Sequence, residues 1–258
     1  MDLDIVGLRV FVTAGASGIG LEIARAFLRE GSRVHVCDVD RTALEALQTT
    51  SPELTWSLGD VASRPDVTRV FAEAIAALGG LDVLVNNAGI AGPTGRVEEI
   101  DPEDWDRCLE VCITGQFNCT RLAVPHLRES HNPSIVNLSS AAGRFGFPLR
   151  SAYAAAKWAV IGFTKSLSRE LGDAGIRVNA ILPGIVTGER QRRVLEAKAQ
   201  QCGIPYQEME QIALANASLK EYVTAEQLAD QILLLCSPRG RTISGQAIAV
   251  DADLQMLS

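Results

Sequence analysis

Seven short runs rich in Val, Ile and Leu recur along the chain, at 8–14, 32–38, 54–58, 81–87, 135–140, 176–182 and 246–251, with amphipathic stretches between them. The runs show little polar alternation, so each is expected to be covered on both faces, as strands inside a parallel sheet are. Parallel neighbours cannot close through a tight hairpin; they need a crossover, usually a helix. The intervening stretches carry helix signals. Asp101-Pro102-Glu103-Asp104 supplies a cap, a proline at the first helical position and acids in the first turn. Thr224 and Gln227 are spaced for a capping box, and Gly31 closes a helix over 20–31. With no repeat, low-complexity tract or linker in its 258 residues, the chain is expected to form one α/β domain over 1–258, a doubly wound parallel sheet of about seven strands with helices on both faces. One stretch, about 188–220, is polar and helical in pattern but leads to no strand. An insertion after the sixth strand falls at the carboxyl end of the sheet, where such folds bind ligands.

Charge and cysteine usage narrow the function classes. Lys plus Arg total 24 against 31 for Asp plus Glu, a formal charge of -7. No basic block offsets that balance, so neither nucleic acid nor an anionic membrane is an expected partner. The first residues do not read as a signal peptide, and no apolar run is long enough to span a bilayer. The six cysteines form no paired CxxC pattern and there are only three histidines. The expectation is reduced thiols in a cytoplasmic protein with no metal site, Cys108 and Cys112 lacking further ligands.

The first strand runs into Thr13-Ala14-Gly15-Ala16-Ser17-Gly18-Ile19-Gly20, and a helix follows at once. Glycines there let the backbone turn tightly and approach a pyrophosphate, and the helix N-terminus offers free N–H groups and a positive dipole end. Gly15, Ser17, Gly18, Ile19 and Gly20 are therefore cofactor-binding candidates. Asp38 closes the second strand. A carboxylate at that place accepts ribose hydroxyls and repels a 2′-phosphate, which points to NAD rather than NADP. Arg41, close by in sequence, is the one residue that speaks for a phosphate.

Tyr153 and Lys157 are spaced i,i+4, on one face of a helix. An ammonium beside a phenol favours the phenolate, and so makes an acid/base. Ser140, at the end of the preceding strand, can donate a hydrogen bond to a substrate oxygen.

With these residues in place the sequence resembles the short-chain dehydrogenase/reductase family over 5–253. The carrying motifs are TAGASGIG at 13–20, Asp60-Val61, NNAG at 86–89, NLSS at 137–140, YAAAK at 153–157, RVNAILPG at 177–184 and SGQ at 244–246. The resemblance implies a Rossmann-type fold and NAD(P)-linked alcohol/carbonyl chemistry. It makes Tyr153 the catalytic acid/base, Ser140 the group that steadies the reacting oxygen, and Lys157 both the partner of Tyr153 and a ligand of the nicotinamide ribose. It sets Asp60 and Val61 about the adenine, Asn87, Ala88 and Gly89 along the cofactor, and Pro183, Gly184 and Val186 near the nicotinamide. It also implies a homotetramer, or a homodimer, built on helices at about 103–130 and 152–173 and on the last strand.

Three positions depart from the family pattern. Ala14 replaces a glycine. Gly188 stands where a threonine is usual, leaving Thr187 to bond the nicotinamide amide if the loop shifts. Cys112 replaces the asparagine that is a fourth catalytic member. The leading expectation is an NAD-dependent oxidoreductase that interconverts a secondary alcohol, such as a polyol, sugar or hydroxy acid, and its ketone. The alternative is a nucleotide-binding regulatory or catalytically impaired protein, motivated by Cys112. A non-redox enzyme on the same scaffold is a third reading, opposed by the intact cradle and lysine. Near the site lie Arg144, Phe145, Phe147, Arg150 and the segment 188–198. Arginines there suit a carboxylate, sulfonate or phosphate, but Arg190, Arg192 and Arg193 read more readily as a solvated helix face paired with Glu189 and Glu196. Phe145 and Phe147 suit either pocket wall or core, and Trp158 core or a subunit contact.

Overall fold

A computed structural model describes residues 2–257. Seven strands form one sheet: β1 (Arg9–Thr13), β2 (Arg33–Asp38), β3 (Thr55–Leu58), β4 (Val83–Asn86), β5 (Ser134–Leu138), β6 (Arg177–Pro183) and β7 (Ala247–Val250). Their order is β3-β2-β1-β4-β5-β6-β7, and every pairing is parallel. The order reverses between β1 and β4, so a crevice opens beyond their carboxyl ends.

The crossovers are α1 (Gly18–Arg29), α2 (Arg41–Thr50), α3 (Arg64–Leu78), α4 (Pro102–Leu109), α5 (Gly115–Leu127), α6 (Ser151–Glu170), α7 (Glu189–Cys202), α8 (Tyr206–Ala215) and α9 (Ala225–Cys236). The start signals act as expected. Asp101 accepts the Glu103 N–H, and Thr224 and Gln227 form the reciprocal capping box. One face of the sheet packs α1, α2 and α9 through residues such as Ile23, Phe27, Leu44 and Ile232. The other packs α3, α5 and α6 through Phe71, Ala123, Leu127 and Leu167. Val12, Val36, Val85 and Val136 are fully enclosed between the layers, which is why the strands carry no polar face.

The two edges of the sheet differ in kind. At the amino-terminal edge Arg9 grips Asp82 with two hydrogen bonds, Nε at 2.8 Å and Nη2 at 2.7 Å, and joins β1 to the start of β4. At the carboxyl edge stand the glycine loop and the longer connections 87–101 and 139–150, and α7 and α8 pack there on a separate apolar cluster that includes Ile185, Leu195, Met209 and Leu254. Most of the stretch at 188–220 is thus helical.

Candidate active site

The glycine loop is shaped from below. Asn87 Nδ2 donates to the carbonyls of Thr13 at 2.9 Å and Ala14 at 3.0 Å, while Thr13 Oγ1 accepts the N–H groups of Asn87 and Ala88. The loop and the end of β4 are therefore one hydrogen-bonded unit. A Cβ on Gly20 would overlap the Ala14 carbonyl oxygen, and one on Gly15 would lie 2.6 Å from Val36 Cβ. Gly18, at φ +53°, has open space where a Cβ would stand. Ala14 itself adopts φ +51°, a left-handed conformation that costs an alanine roughly 1 kcal/mol. The helix begins at Gly18 rather than Gly20, with Ser17 at its cap making no side-chain hydrogen bond. Ser17 and the first N–H groups of α1, with Ile19 among them, are left for a ligand. This open, positively ended cradle fits a dinucleotide pyrophosphate.

Asp38 stands at the lip of the loop. Its carboxylate accepts N–H groups from Ala16, Val39 and Asp40 at 3.1, 2.8 and 3.1 Å. Three of about four lone-pair directions are used, which leaves room for a hydroxyl donor. Arg41 faces Glu45, 3.7 Å away on α2. Asp60 accepts the Ala62 N–H and takes Arg107 Nη2 at 2.6 Å. The carbonyl of the buried Val61 is held by Asn118 at 3.0 Å.

Beyond β5 the chain places Ser140 and, on the first turns of α6, Tyr153 and Lys157. Two contacts bind α6 to the strand: Ser139 Oγ donates to Lys157 O at 2.7 Å, and Lys157 Nζ donates to Leu138 O at 2.8 Å. A Cβ on Gly143 would meet Lys157 O at 2.7 Å, so only glycine permits that approach. Ser140 Oγ accepts the Ala142 N–H, and its own proton remains free to donate. Lys157 Nζ stands 5.6 Å from the Tyr153 ring centroid. The Tyr153 hydroxyl has no protein partner among the described residues.

Cys112 sits in a π turn, Glu110–Thr114, between α4 and α5. The Gly115 N–H reaches back to Glu110 O, five residues away, where an α-helix would use four. Cys112 is fully buried, its Sγ 3.5 Å from Ile90 O. The neighbouring Cys108 thiol, and then the Lys157 ammonium, lower the Cys112 thiol against the cost of burial, while Cys108 is pushed up. Cys108, Cys112, Ala152 and Ala156 form a small cluster beneath Tyr153. Gly89 passes close above it: a Cβ there would lie 3.4 Å from Lys157 Nζ.

The segment after β6 closes the site. Gly184 donates to Val250 O at 3.0 Å, and a Cβ on it would meet Asp251 Cα. Pro183 ends the strand, Val186 bridges Val223, and the Thr187 N–H is held by Val223 O at 2.9 Å, which leaves only the exposed Thr187 side chain free. The arginines divide. Arg192 and Arg193 pair with Glu196 and Glu189, and Arg144 with Asp251. Arg190 turns inward instead, donating to Gly89 O at 3.0 Å. Sequence reasoning missed the burial of Arg150 and Lys198, 1% and 3% exposed. A charged residue in a loop or on a polar helix reads as solvated.

A family model described as enoyl-(acyl carrier protein) reductase matches residues 13–253. Across 249 residues the chain is 35% identical to 2-(S)-hydroxypropyl-CoM dehydrogenase 3 of Xanthobacter autotrophicus, covering 95% of both chains. The chain belongs to the short-chain dehydrogenase/reductase family. Among solved members of that family, a tryptophan variant of actinorhodin polyketide ketoreductase with NADPH superposes with a TM-score of 0.91 at 32% identity, over 95% of this chain and 96% of that one. NAD+-bound xylitol dehydrogenase does so at 0.91 and 25% identity, over 96% and 98%. Relatives in the family are dehydrogenases and reductases, and its solved members carry nicotinamide cofactors of both kinds.

Proposed function

We propose that this chain is an NAD-dependent dehydrogenase that interconverts a secondary alcohol and its ketone, with Tyr153 as acid/base. The carrying observation is the gathering of Ser140, Tyr153 and Lys157 at the carboxyl end of β5, beside a glycine loop shaped for a pyrophosphate. The nicotinamide supplies the hydride acceptor or donor when bound. Asp38 receives the adenosine ribose, with Asp60 and Val61 at the adenine and Asn87, Ala88 and Gly89 along the cofactor. Pro183, Gly184, Val186 and Thr187 border the nicotinamide end. In oxidation, Tyr153 takes the hydroxyl proton while Ser140 donates a hydrogen bond to the same oxygen. Lys157 keeps a positive charge beside the phenol and the ribose. Cys112 keeps the π turn that stands below Lys157.

The whole chain acts as one catalytic domain, and 188–220 covers the substrate. Exposed Phe117 on α5 and Trp158 on α6, 43% and 52% accessible, support a homotetramer through those helices. Six free cysteines, five of them buried, support a cytoplasmic setting, and among the described residues no helix is long and apolar enough to cross a membrane. The test is to mix the protein with NAD and a panel of secondary alcohols and follow NADH absorbance. Reduction of NAD by a subset of the panel is expected. Tight NADH binding without turnover of any alcohol or ketone would favour the regulatory reading instead.

A further inference from the structure

Besides Lys157, three cations lie over the Tyr153 and Phe147 rings with no carboxylate among the described residues to neutralise them. Arg150 Cζ lies 5.3 Å from the Tyr153 ring centroid and 5.4 Å from that of Phe147. Lys198 Nζ lies 4.5 Å from the Phe147 centroid, and Arg190 Cζ 5.9 Å from that of Tyr153. Every other arginine nearby has an acid: Arg144 has Asp251, Arg192 has Glu196 and Arg193 has Glu189. Arg150, Arg190 and Lys198 form no ion pair among the described residues. Arg150 and Lys198 are buried, whereas Arg190 stays exposed and reaches Gly89 O from α7.

Arg150 is the most constrained of them. It is 1% exposed, and only one of its nitrogens, Nη2, has a partner, the Ala91 carbonyl. Nε and Nη1 are buried with no acceptor at all. Aromatic faces attract a guanidinium only weakly compared with the cost of stripping its water. Burial accordingly makes the guanidinium of Arg150 a weaker base, and it presses Lys198 down to about 8 with help from Arg150. Buried donors without acceptors call for an explanation, and a missing ligand is one. The guanidinium edges that grip a two-oxygen acid are Nε with Nη2 and Nη1 with Nη2, and the second Nη2 hydrogen, not given to Ala91, leaves such an edge open beside each free nitrogen.

We propose that Arg150, with Lys198 and Arg190, is the subsite for an anionic group of the substrate, which is therefore a secondary alcohol or ketone carrying a carboxylate, sulfonate or phosphate a few bonds from its reacting carbon. This deepens the function proposed above and rests on it for the reacting carbon alone. Phe147 is half-buried and touches both Arg150 and Lys198. A shallow recess adjoins it, bordered by Phe147, Leu195, Lys198 and Met256. On this proposal the Phe147 side chain moves to admit the acid to the two cations. The closeness of Arg150 to Tyr153 ties recognition of the acid to placement of the carbinol oxygen.

The test has a turnover arm and a binding arm. In the first, NADH oxidation is followed with acetoacetate and with its neutral methyl ester. The wild-type protein is expected to favour the acid by at least about 50-fold in kcat/KM, and Arg150→Met to bring the ratio of acid to ester within about threefold, whatever its rate on the ester. In the second, acetate, ethanesulfonate and inorganic phosphate are titrated into the NADH complex and into the free protein, with tryptophan fluorescence as the readout. Saturable binding is expected for at least one anion, weakened about 50-fold by Arg150→Met and about 10-fold by Lys198→Met. Failure of both ketones to react, with anion binding intact and sensitive to Arg150, would count against the dehydrogenase reading and support the subsite. Should Arg150→Met not fold, Lys198→Met and Arg190→Met carry the binding arm. Absence of saturable anion binding overturns the proposal, as does binding that the foldable variants leave unchanged. A loss of NADH affinity in these variants with anion binding unaltered also overturns it, since the cations would then serve the cofactor.

Discussion

The Asp38 carboxylate accepts the Ala16 N–H at 3.1 Å, so the end of β2 is tied to the glycine loop that it borders. The same group that shapes the loop is thereby fixed at the place proposed for the adenosine ribose. Arg41, the cation nearest in sequence, is turned toward Glu45 on α2. NAD is expected to exceed NADP by at least about tenfold in kcat/KM, equal to about 1.4 kcal/mol. Asp38→Ala should narrow that ratio chiefly by lowering the rate with NAD. Equal rates with both cofactors in the unaltered protein would remove Asp38 from the ribose.

Tyr153→Phe deletes one oxygen from a side chain whose hydroxyl has no protein partner among the described residues. Packing against Cys108, Cys112 and Ala156 should survive. Turnover is expected to drop by about 10²-fold or more, with NADH affinity changed little. A variant that retains activity would take the proton-transfer role away from Tyr153.

The sequence made some of this legible and hid the rest for definable reasons. Val, Ile and Leu runs mark β1 to β7 because a strand covered on both faces leaves a continuous apolar signature. Asp101 and Thr224 mark helix starts because their side chains replace missing backbone acceptors. The π turn at 110–114 left no such mark: the stretch 103–130 reads as one helix, since one extra residue per turn barely alters a 3.6-residue rhythm. Arg9 and Asp82 are 73 residues apart, and only the sheet order brings them together. Arg190 and Arg192 look alike in sequence, yet one faces Gly89 and the other Glu196; their separation along α7 puts them on different faces.

His35 should set the acid limit of stability. Its ring is buried on β2, Nδ1 2.9 Å from Thr55 Oγ1 and Nε2 3.0 Å from Ser57 Oγ. Burial pushes its pKa down to about 4, against a smaller pull upward from Glu73. The folded value lies below the unfolded one near 6.5, so between them the unfolded chain binds more protons. Stability from this group is full above about pH 6.5 and falls as pH drops toward 4. Each unit of separation is worth about 1.36 kcal/mol, so the loss from pH 7 to pH 4.5 is about 2.5 kcal/mol. Urea unfolding midpoints at the two pH values measure it. His35→Gln, which cannot gain a proton, should flatten most of the slope, and an unchanged slope would assign the effect to other groups.

Cys112 decides whether the family's fourth catalytic position has been lost or only rebuilt. In similar enzymes an asparagine there braces a helix break whose carbonyl holds a water linked to the lysine. Here the break is present with a thiol in place, closed by the Gly115 N–H on Glu110 O and packed between Cys108, Ala152 and Ala156. Packing therefore keeps the turn with a thiol in place of the amide. Cys112→Asn is therefore expected to change kcat by less than about tenfold at any pH. It should also lower stability by about 1–2 kcal/mol, because the larger amide enters a fully buried place whose walls offer it few partners. Comparing kcat across pH, together with thermal unfolding, separates the two effects. A gain above about 100-fold, or about 2.7 kcal/mol, would show that the thiol disables proton relay through Lys157. The chain would then be a family member with its chemistry suppressed, and the regulatory reading would replace the catalytic one.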